Sequence, residues 1–319
     1  MNYFNTQQVN SYPQAFLNDV IMGLSKENRY IPPHWLYDDR GSKIFEAITD
    51  LPEYYVTRTE LALFHEIAPI FCDIIGPNAS LVEYGAGGAM KARIFLNAFV
   101  DPAEYVAIDI SFDHLEQSLN DLALDYPELN VRPLAGDFIS GILTTDLGSD
   151  TQRVGFFPGS TIGNLSNDDI NTFLKRARDY LGDDAYFILG ADLSKSPDVL
   201  IPAYDDAQGV TADFNLNLLT RINRELDGTI DVAKFRHRAI WNDEKSRIEM
   251  HLESQEDQSF EVAGQGFRLS KGQSIHTENS RKFRRSELEQ LTSDNGWNMV
   301  RYETDENDYF AVMLLKAGV

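Results

Sequence analysis

A buried strand that runs into a glycine loop and then into a helix constrains this chain more than any other feature. Ser80-Leu81-Val82-Glu83-Tyr84 is a largely apolar run, glycines follow at Gly85, Gly87 and Gly88, and a helix is predicted from about Lys91 to Phe99. A strand that is apolar without alternation suits a parallel sheet covered on both faces. Glycine permits the tight turn and close backbone approach that such a crossing needs. The alternation continues downstream. Tyr105–Ile108 reads as a strand ending at Asp109, His114 to Leu124 as a helix, and Asn130 to Leu134 as a third strand. Val154–Phe157 and Ala185–Leu189 are two more strands, with a helix from Asp168 to Leu181 between them. Strands separated by helices imply a mostly parallel α/β sheet with right-handed crossovers.

Either side of this block the texture differs. Leu61, Phe64, Ile67 and Ala68 mark one face of a helix from Glu60 to Phe71, and residues 1–60 look like short helices broken at Pro32-Pro33. From about residue 196 the strand–helix pattern stops. Ala203 to Leu226 is predicted helical, Arg236–Trp241 and Arg247–Glu253 form a hairpin around Asn242-Asp243-Glu244-Lys245-Ser246, and Arg284 to Asn295 returns to helix. Met299–Tyr302 and Tyr309–Leu315 close the chain as an antiparallel pair. With 319 residues the chain exceeds one ordinary core. The expected division is an α/β domain of residues 61–195 plus 283–319, and an inserted α+β domain of residues 1–60 plus 196–282 lying over its ligand face.

Charge narrows the partners. A formal net charge of -22 repels phosphate backbones and anionic lipid, so nucleic acid and membrane are poor substrates. No run approaches the roughly 18 apolar residues of a membrane span, and Met1 to Val20 lacks the basic and apolar regions of a signal peptide. The single cysteine, Cys72, forms no intrachain disulfide and sits in an apolar stretch that reads as a buried thiol. A cytoplasmic, monomeric protein acting on a small molecule is the expectation. The six histidines never fall at zinc-ligand spacing with cysteine partners, so no metal is expected.

The loop Glu83-Tyr84-Gly85-Ala86-Gly87-Gly88-Ala89-Met90-Lys91 is a poor dinucleotide fingerprint, because Met90 stands where the third glycine would pack. The acidic Glu83 suits a zwitterion better than a pyrophosphate. Asp109, at the end of the second strand, is where doubly wound folds place a carboxylate on ribose hydroxyls, although a solvated strand end is the plainer alternative. E-x-G-x-G, then Asp109, then Gly136-Asp137-Phe138 after the third strand resembles the Rossmann-like class I methyltransferases. In that family the Asp–Phe pair addresses adenine, which would give Asp137 the exocyclic amine and Phe138 the ring face of S-adenosylmethionine.

Longer stretches sharpen the resemblance. Tyr37-Asp38-Asp39-Arg40-Gly41-Ser42, Leu51-Pro52-Glu53-Tyr54-Tyr55-Val56-Thr57-Arg58-Thr59-Glu60 and Gly159-Ser160-Thr161-Ile162-Gly163-Asn164 are similar to the histidine-specific methyltransferases of ergothioneine biosynthesis. So are Ala203-Tyr204-Asp205-Asp206, Arg247-Ile248-Glu249-Met250 and Thr277-Glu278-Asn279-Ser280-Arg281-Lys282-Phe283-Arg284. The likeness runs from about residue 30 to the C-terminus. It implies conversion of free L-histidine to its Nα-trimethyl betaine, hercynine, with three S-adenosylmethionine molecules. It further implies methyl-donor contacts at Gly85, Lys91, Asp109, Asp137 and Phe138, and histidine contacts at Tyr54, Asn164, Tyr204, Met250, Glu278 and Ser280. Gly87-Gly88-Ala89-Met90 departs from the serine-like residues expected there, which leaves the loop's individual hydrogen bonds open.

Glu278 and Ser280 are two apart, so on an extended segment they share a side. A carboxylate and a hydroxyl together can address both imidazole nitrogens; an exposed polar strand face is the alternative. Tyr37 joins Tyr54 as a catalytic candidate beside the reacting amine. Two other functions remain open on these residues. One is the same transfer to another small aromatic amino acid or amine, the other a non-catalytic methyl-donor-binding sensor.

Overall fold

The computed structural model of the chain describes residues 12–109, 112–136 and 151–318. In chain order the helices and strands are α1 (Tyr12–Ser25), β1 (Arg29–Tyr30), α2 (Asp39–Thr49), α3 (Tyr55–Ile75), β2 (Ala79–Tyr84), α4 (Met90–Ala98), β3 (Glu104–Asp109), α5 (Phe112–Asp125), β4 (Asn130–Ala135) and β5 (Gln152–Phe157). They continue with α6 (Asn167–Leu181), β6 (Tyr186–Asp192), α7 (Pro197–Tyr204), α8 (Val210–Glu225), β7 (Phe235–Asn242), β8 (Arg247–Ser254), β9 (Gln258–Val262), β10 (Gln265–Leu269), β11 (Ser274–Arg281), α9 (Arg285–Asp294), β12 (Trp297–Thr304) and β13 (Phe310–Ala317). Short 3-10 turns cover Pro33–Leu36, Thr161–Asn164 and Val232–Lys234. Among the described residues no helix is long and apolar enough to cross a membrane.

The chain divides into two compact units, one of residues 1–55 and 196–280, the other of residues 56–195 and 281–319. In the second unit a seven-stranded sheet has the order β12-β13-β6-β5-β2-β3-β4. The neighbours among β2 to β6 run parallel, and β13 lies antiparallel to both β6 and β12. Every residue of β2 and of β6 is buried, which is why these strands carry no polar alternation. Strand order reverses between β2 and β5, so their C-terminal ends flank the crevice where open α/β sheets take ligands. The helix α6 packs Ile170, Phe173, Leu174, Ala177 and Leu181 inward. Ser166 caps its start by accepting from the Asp169 amide, and Gly182, at φ +95°, ends it.

The first unit holds a four-stranded sheet, β1-β11-β8-β7, and a separate hairpin of β9 and β10. Here the structure corrects the sequence reading. The single helix expected over Ala203–Leu226 is two helices, because Asp206 turns its carboxylate onto the Val210 and Thr211 amides and Gly209 adopts φ +78°. The β9–β10 hairpin escapes a pattern search because an Ala263-Gly264 turn with both φ values positive makes it, and alanine gives no turn signal.

Candidate active site

In the unit of residues 56–195 and 281–319 the glycine loop leaves β2 and enters α4. Gly85 and Gly87 have φ of +74° and +50°, and even Ala89 is left-handed at +55°. The amides of Gly85 and Ala86 both donate to the Ile108 carbonyl, at 2.8 and 3.1 Å, tying the loop to the end of β3. The Gly87 amide donates to Asp109 Oδ2 at 3.2 Å, which fixes that carboxylate beside the loop. A Cβ at Gly87 or Gly88 would meet nothing within 4 Å, so open space lies over these glycines.

Below the loop sit two buried carboxylates. Glu83 accepts a short hydrogen bond from the Tyr105 hydroxyl. Burial pushes its carboxyl up to about 8, against the lowering pull of Tyr105 and Lys91. Glu60, fully buried, pairs with Lys91 at 2.7 Å and accepts from the Gly159 amide at 2.7 Å. One side chain thereby ties the start of α4 to the loop after β5. Gly159, at φ +78°, also has Lys91 Nζ only 3.1 Å from where its Cβ would stand. Glu60 was missed as a functional residue by sequence reasoning, although it ends the Thr57-Arg58-Thr59-Glu60 stretch; only its burial marks it.

Asn164 closes the 3-10 turn after Gly159-Ser160 and is half-buried. The turn is fixed from both sides. Ser160, at φ +57°, accepts from the Asp192 amide through its hydroxyl, and a Cβ at Gly163 would stand 2.8 Å from the Arg281 carbonyl. Asp137 and Phe138 lie outside the described residues.

The unit of residues 1–55 and 196–280 gathers a second set. Tyr37 precedes Asp38, which caps α2 by accepting from the Gly41 amide at 2.8 Å and is itself held by Asn217 at 2.7 Å and Arg224 at 2.6 Å. The capped turn sets the Tyr37 ring edge-on to Phe45 and Phe214, with centroids 5.4 and 5.3 Å away. Phe45 meets Tyr54 at 6.2 Å, and Tyr54 meets Tyr204 at 6.0 Å. The Tyr204 hydroxyl shares a 2.7 Å hydrogen bond with Ser280 on β11. Burial, then the Glu278 charge, pushes the Tyr37 phenol well above its ordinary value, and the Glu278 carboxylate hydrogen-bonds it. Tyr37, Tyr54, Tyr204, Glu278 and Ser280 are therefore brought together. All but Tyr37, which is half-buried, are less than 9% exposed.

Tyr204 is held from behind. His237 Nε2 bonds the Tyr204 carbonyl at 2.7 Å, while Asn215 Nδ2 bonds His237 Nδ1 at 2.9 Å, an arrangement that makes Nε2 the protonated nitrogen. Met250 is buried on β8, and its carbonyl accepts from the Thr277 hydroxyl at 3.1 Å. Phe45 and Phe214, which complete the aromatic wall, were also missed, since nothing in a helix pattern separates wall residues from core.

The first set fits the chemistry of S-adenosylmethionine: a lysine for a carboxylate, a carboxylate for hydroxyls, and backbone with room above it. The family described as "Histidine-specific methyltransferase, SAM-dependent" matches residues 16–317. The chain is 34% identical over 315 residues to histidine N-alpha-methyltransferase of Mycolicibacterium smegmatis, covering 97% of each chain. It is 29% identical over 297 residues to ergothioneine biosynthesis protein 1 of Neurospora crassa, 91% of this chain and 33% of that protein. Similarity to L-tryptophan methyltransferase of Psilocybe serbica is 24% over 94% of this chain and 92% of that one. In fold, the chain resembles an S-adenosylmethionine-dependent methyltransferase from Clostridium acetobutylicum, with TM-score 0.51, 12% identity, and coverage of 87% of this chain and 99% of that one.

Proposed function

Because the chain belongs to the S-adenosylmethionine-dependent, histidine-specific methyltransferase family, we propose that it methylates the α-amine of free L-histidine, three times over, to give hercynine. Bound S-adenosylmethionine supplies an electrophilic methyl group on a sulfonium. The unit of residues 56–195 and 281–319 holds this cosubstrate, with Gly85 giving backbone approach, Lys91 taking the methionine carboxylate and Asp109 the ribose hydroxyls. Asp137 and Phe138 take the adenine by family resemblance. The unit of residues 1–55 and 196–280 reads the amino acid.

One observation carries the substrate assignment: a buried carboxylate and a buried hydroxyl, Glu278 and Ser280, each bonded to a tyrosine of one aromatic cluster. An imidazole N–H donates to Glu278, and Ser280 completes the pairing of the other ring nitrogen. A phenyl ring offers neither group a hydrogen bond, so it forgoes what an imidazole gains here, about 1.5–3 kcal/mol for the charge-assisted bond to Glu278. Met250 lines the ring's surroundings and Asn164 takes the zwitterionic head, since an amide donates to carboxylate and accepts from amine. Tyr37 is no base, because its phenol stays protonated at neutral pH. In the first two transfers its oxygen and that of Tyr54 orient the amine by accepting from N–H, leaving the nitrogen lone pair for in-line displacement. Tyrosine faces stabilise the methylated cation by roughly 0.5–2 kcal/mol.

Purified protein incubated with S-adenosylmethionine and L-histidine is expected to yield mono-, di- and trimethylated histidine by mass spectrometry. Turnover of tryptophan or another amine with none of histidine would overturn the substrate while leaving the chemistry. No turnover of any amine, with S-adenosylhomocysteine bound, would favour the sensor.

A further inference from the structure

Three potential metal ligands meet on the β8–β11 sheet, outside the tyrosine cluster. Glu249 and His251 are two apart on β8 and share a face, and His276 stands on β11, the neighbouring strand. One ligand atom from each lies within 4.8 Å of the others. The two imidazoles stack with centroids 4.7 Å apart and planes 18° apart.

We propose that Glu249, His251 and His276 bind one divalent ion of the zinc class. Two imidazoles and one carboxylate, with a fourth position left for water, is a common zinc ligand set, and it is a poor one for Mg2+ or Ca2+, which take oxygen shells. The second observation is the outer shell. Arg247 Nε at 2.7 Å and Asn242 at 2.9 Å both hold Glu249 Oε1, leaving Oε2 towards His251. Ser274 Oγ holds His251 Nδ1 at 3.1 Å, and the Glu278 carbonyl holds His276 Nε2 at 3.0 Å. Outer partners of this kind fix ligand orientation and tautomer at metal sites.

A tetrahedral ion with bonds of about 2.0–2.1 Å draws its ligand atoms to roughly 3.3 Å from one another. The rings must therefore leave their parallel stack, turning about χ2. Because His276 holds the carbonyl of Glu278, an ion here would stiffen the strand that carries the substrate carboxylate.

Tag-free protein stripped with a chelator and titrated calorimetrically with Zn2+ is expected to bind one ion per chain. Co2+ in its place should give the intense visible bands of a four-coordinate site, and excess Mg2+ should not compete. Glu249→Gln and His276→Ala are each expected to abolish the signal, and Ser274→Ala to weaken Zn2+ affinity about tenfold. Circular dichroism and the thermal midpoint establish that each variant is folded; if His276→Ala does not fold, Glu249→Gln carries the test. No binding by wild type, or binding unchanged in the folded variants, overturns the site.

Discussion

Glu278 is where residue chemistry and substrate choice meet. Replacing it with alanine removes a charge-assisted hydrogen bond worth about 1.5–3 kcal/mol. The kcat/KM for histidine is expected to fall by about one to two powers of ten, while tryptophan is penalised less. S-adenosylhomocysteine affinity should hardly change. The measurement is the ratio of histidine to tryptophan turnover in wild type and Glu278→Ala; a constant ratio makes Glu278 a structural carboxylate. Glu83 makes a different prediction. Its carboxyl titrates at about 8 in the folded chain against an ordinary 4.5, so between those values the folded state holds a proton that the unfolded state has lost. Its contribution to stability is complete below about pH 4.5 and lost progressively as pH rises through about 8. Comparing the ligand-free proteins from pH 5 to 9, the thermal midpoint of Glu83→Gln should fall less than that of wild type. Parallel curves would mean that Glu83 is ionised throughout.

At the scale of elements, the sheet is held at positions where no side chain is tolerated. Gly155 on β5 lies under the ring of Phe187, and a Cβ there would strike that ring and approach Leu181 Cδ1 to 2.8 Å. Both neighbours are buried, so Gly155→Ala overpacks the core and should cost about 1–3 kcal/mol in urea unfolding. A cost below about 0.5 kcal/mol, the range of surface changes, would show that Phe187 moves aside. The elements of this sheet were legible because parallel strands buried on both faces are apolar throughout. β2 and β5 begin one and two residues before the stretches that sequence alone marks, while β6 begins one residue later, at Tyr186, and runs three further, to Asp192. The break between α7 and α8 was not legible, since the apolar positions on both sides keep a helical period. Only the Asp206 cap and the left-handed Gly209 interrupt it.

In the whole molecule, the chain leaves the methyltransferase unit after Lys195 and re-enters it at Arg281. Fully buried Asp192 pairs with Lys282 at 2.6 Å, and with Lys195 by a shorter contact. One carboxylate therefore anchors the departing and the returning strand of chain. Asp192→Ala removes the carboxylate that two buried ammonium groups share, and is expected to cost about 3–5 kcal/mol. Equilibrium denaturation of Asp192→Ala, of Lys282→Met and of the double variant checks this. The double variant should recover part of the loss, and full additivity would deny the coupling.

The sequence by itself determined the α/β sheet, the glycine loop, the carboxylate at the end of β3 and the identity of the family. These are local: a buried strand, a turn and a motif each write their requirement into adjacent residues. It also named Tyr54, Tyr204, Glu278 and Ser280 through resemblance, with Tyr37 as a further candidate beside the amine, because no spacing rule joins residues on α7, β11 and the turns before α2 and α3. Tertiary structure decided that these five converge, that Glu60 underpins Lys91, and that Glu249, His251 and His276 meet although no ligand spacing announces them. Such groupings depend on which strands and turns become neighbours. That choice is set by burial summed over a whole unit and leaves no mark on the residues between.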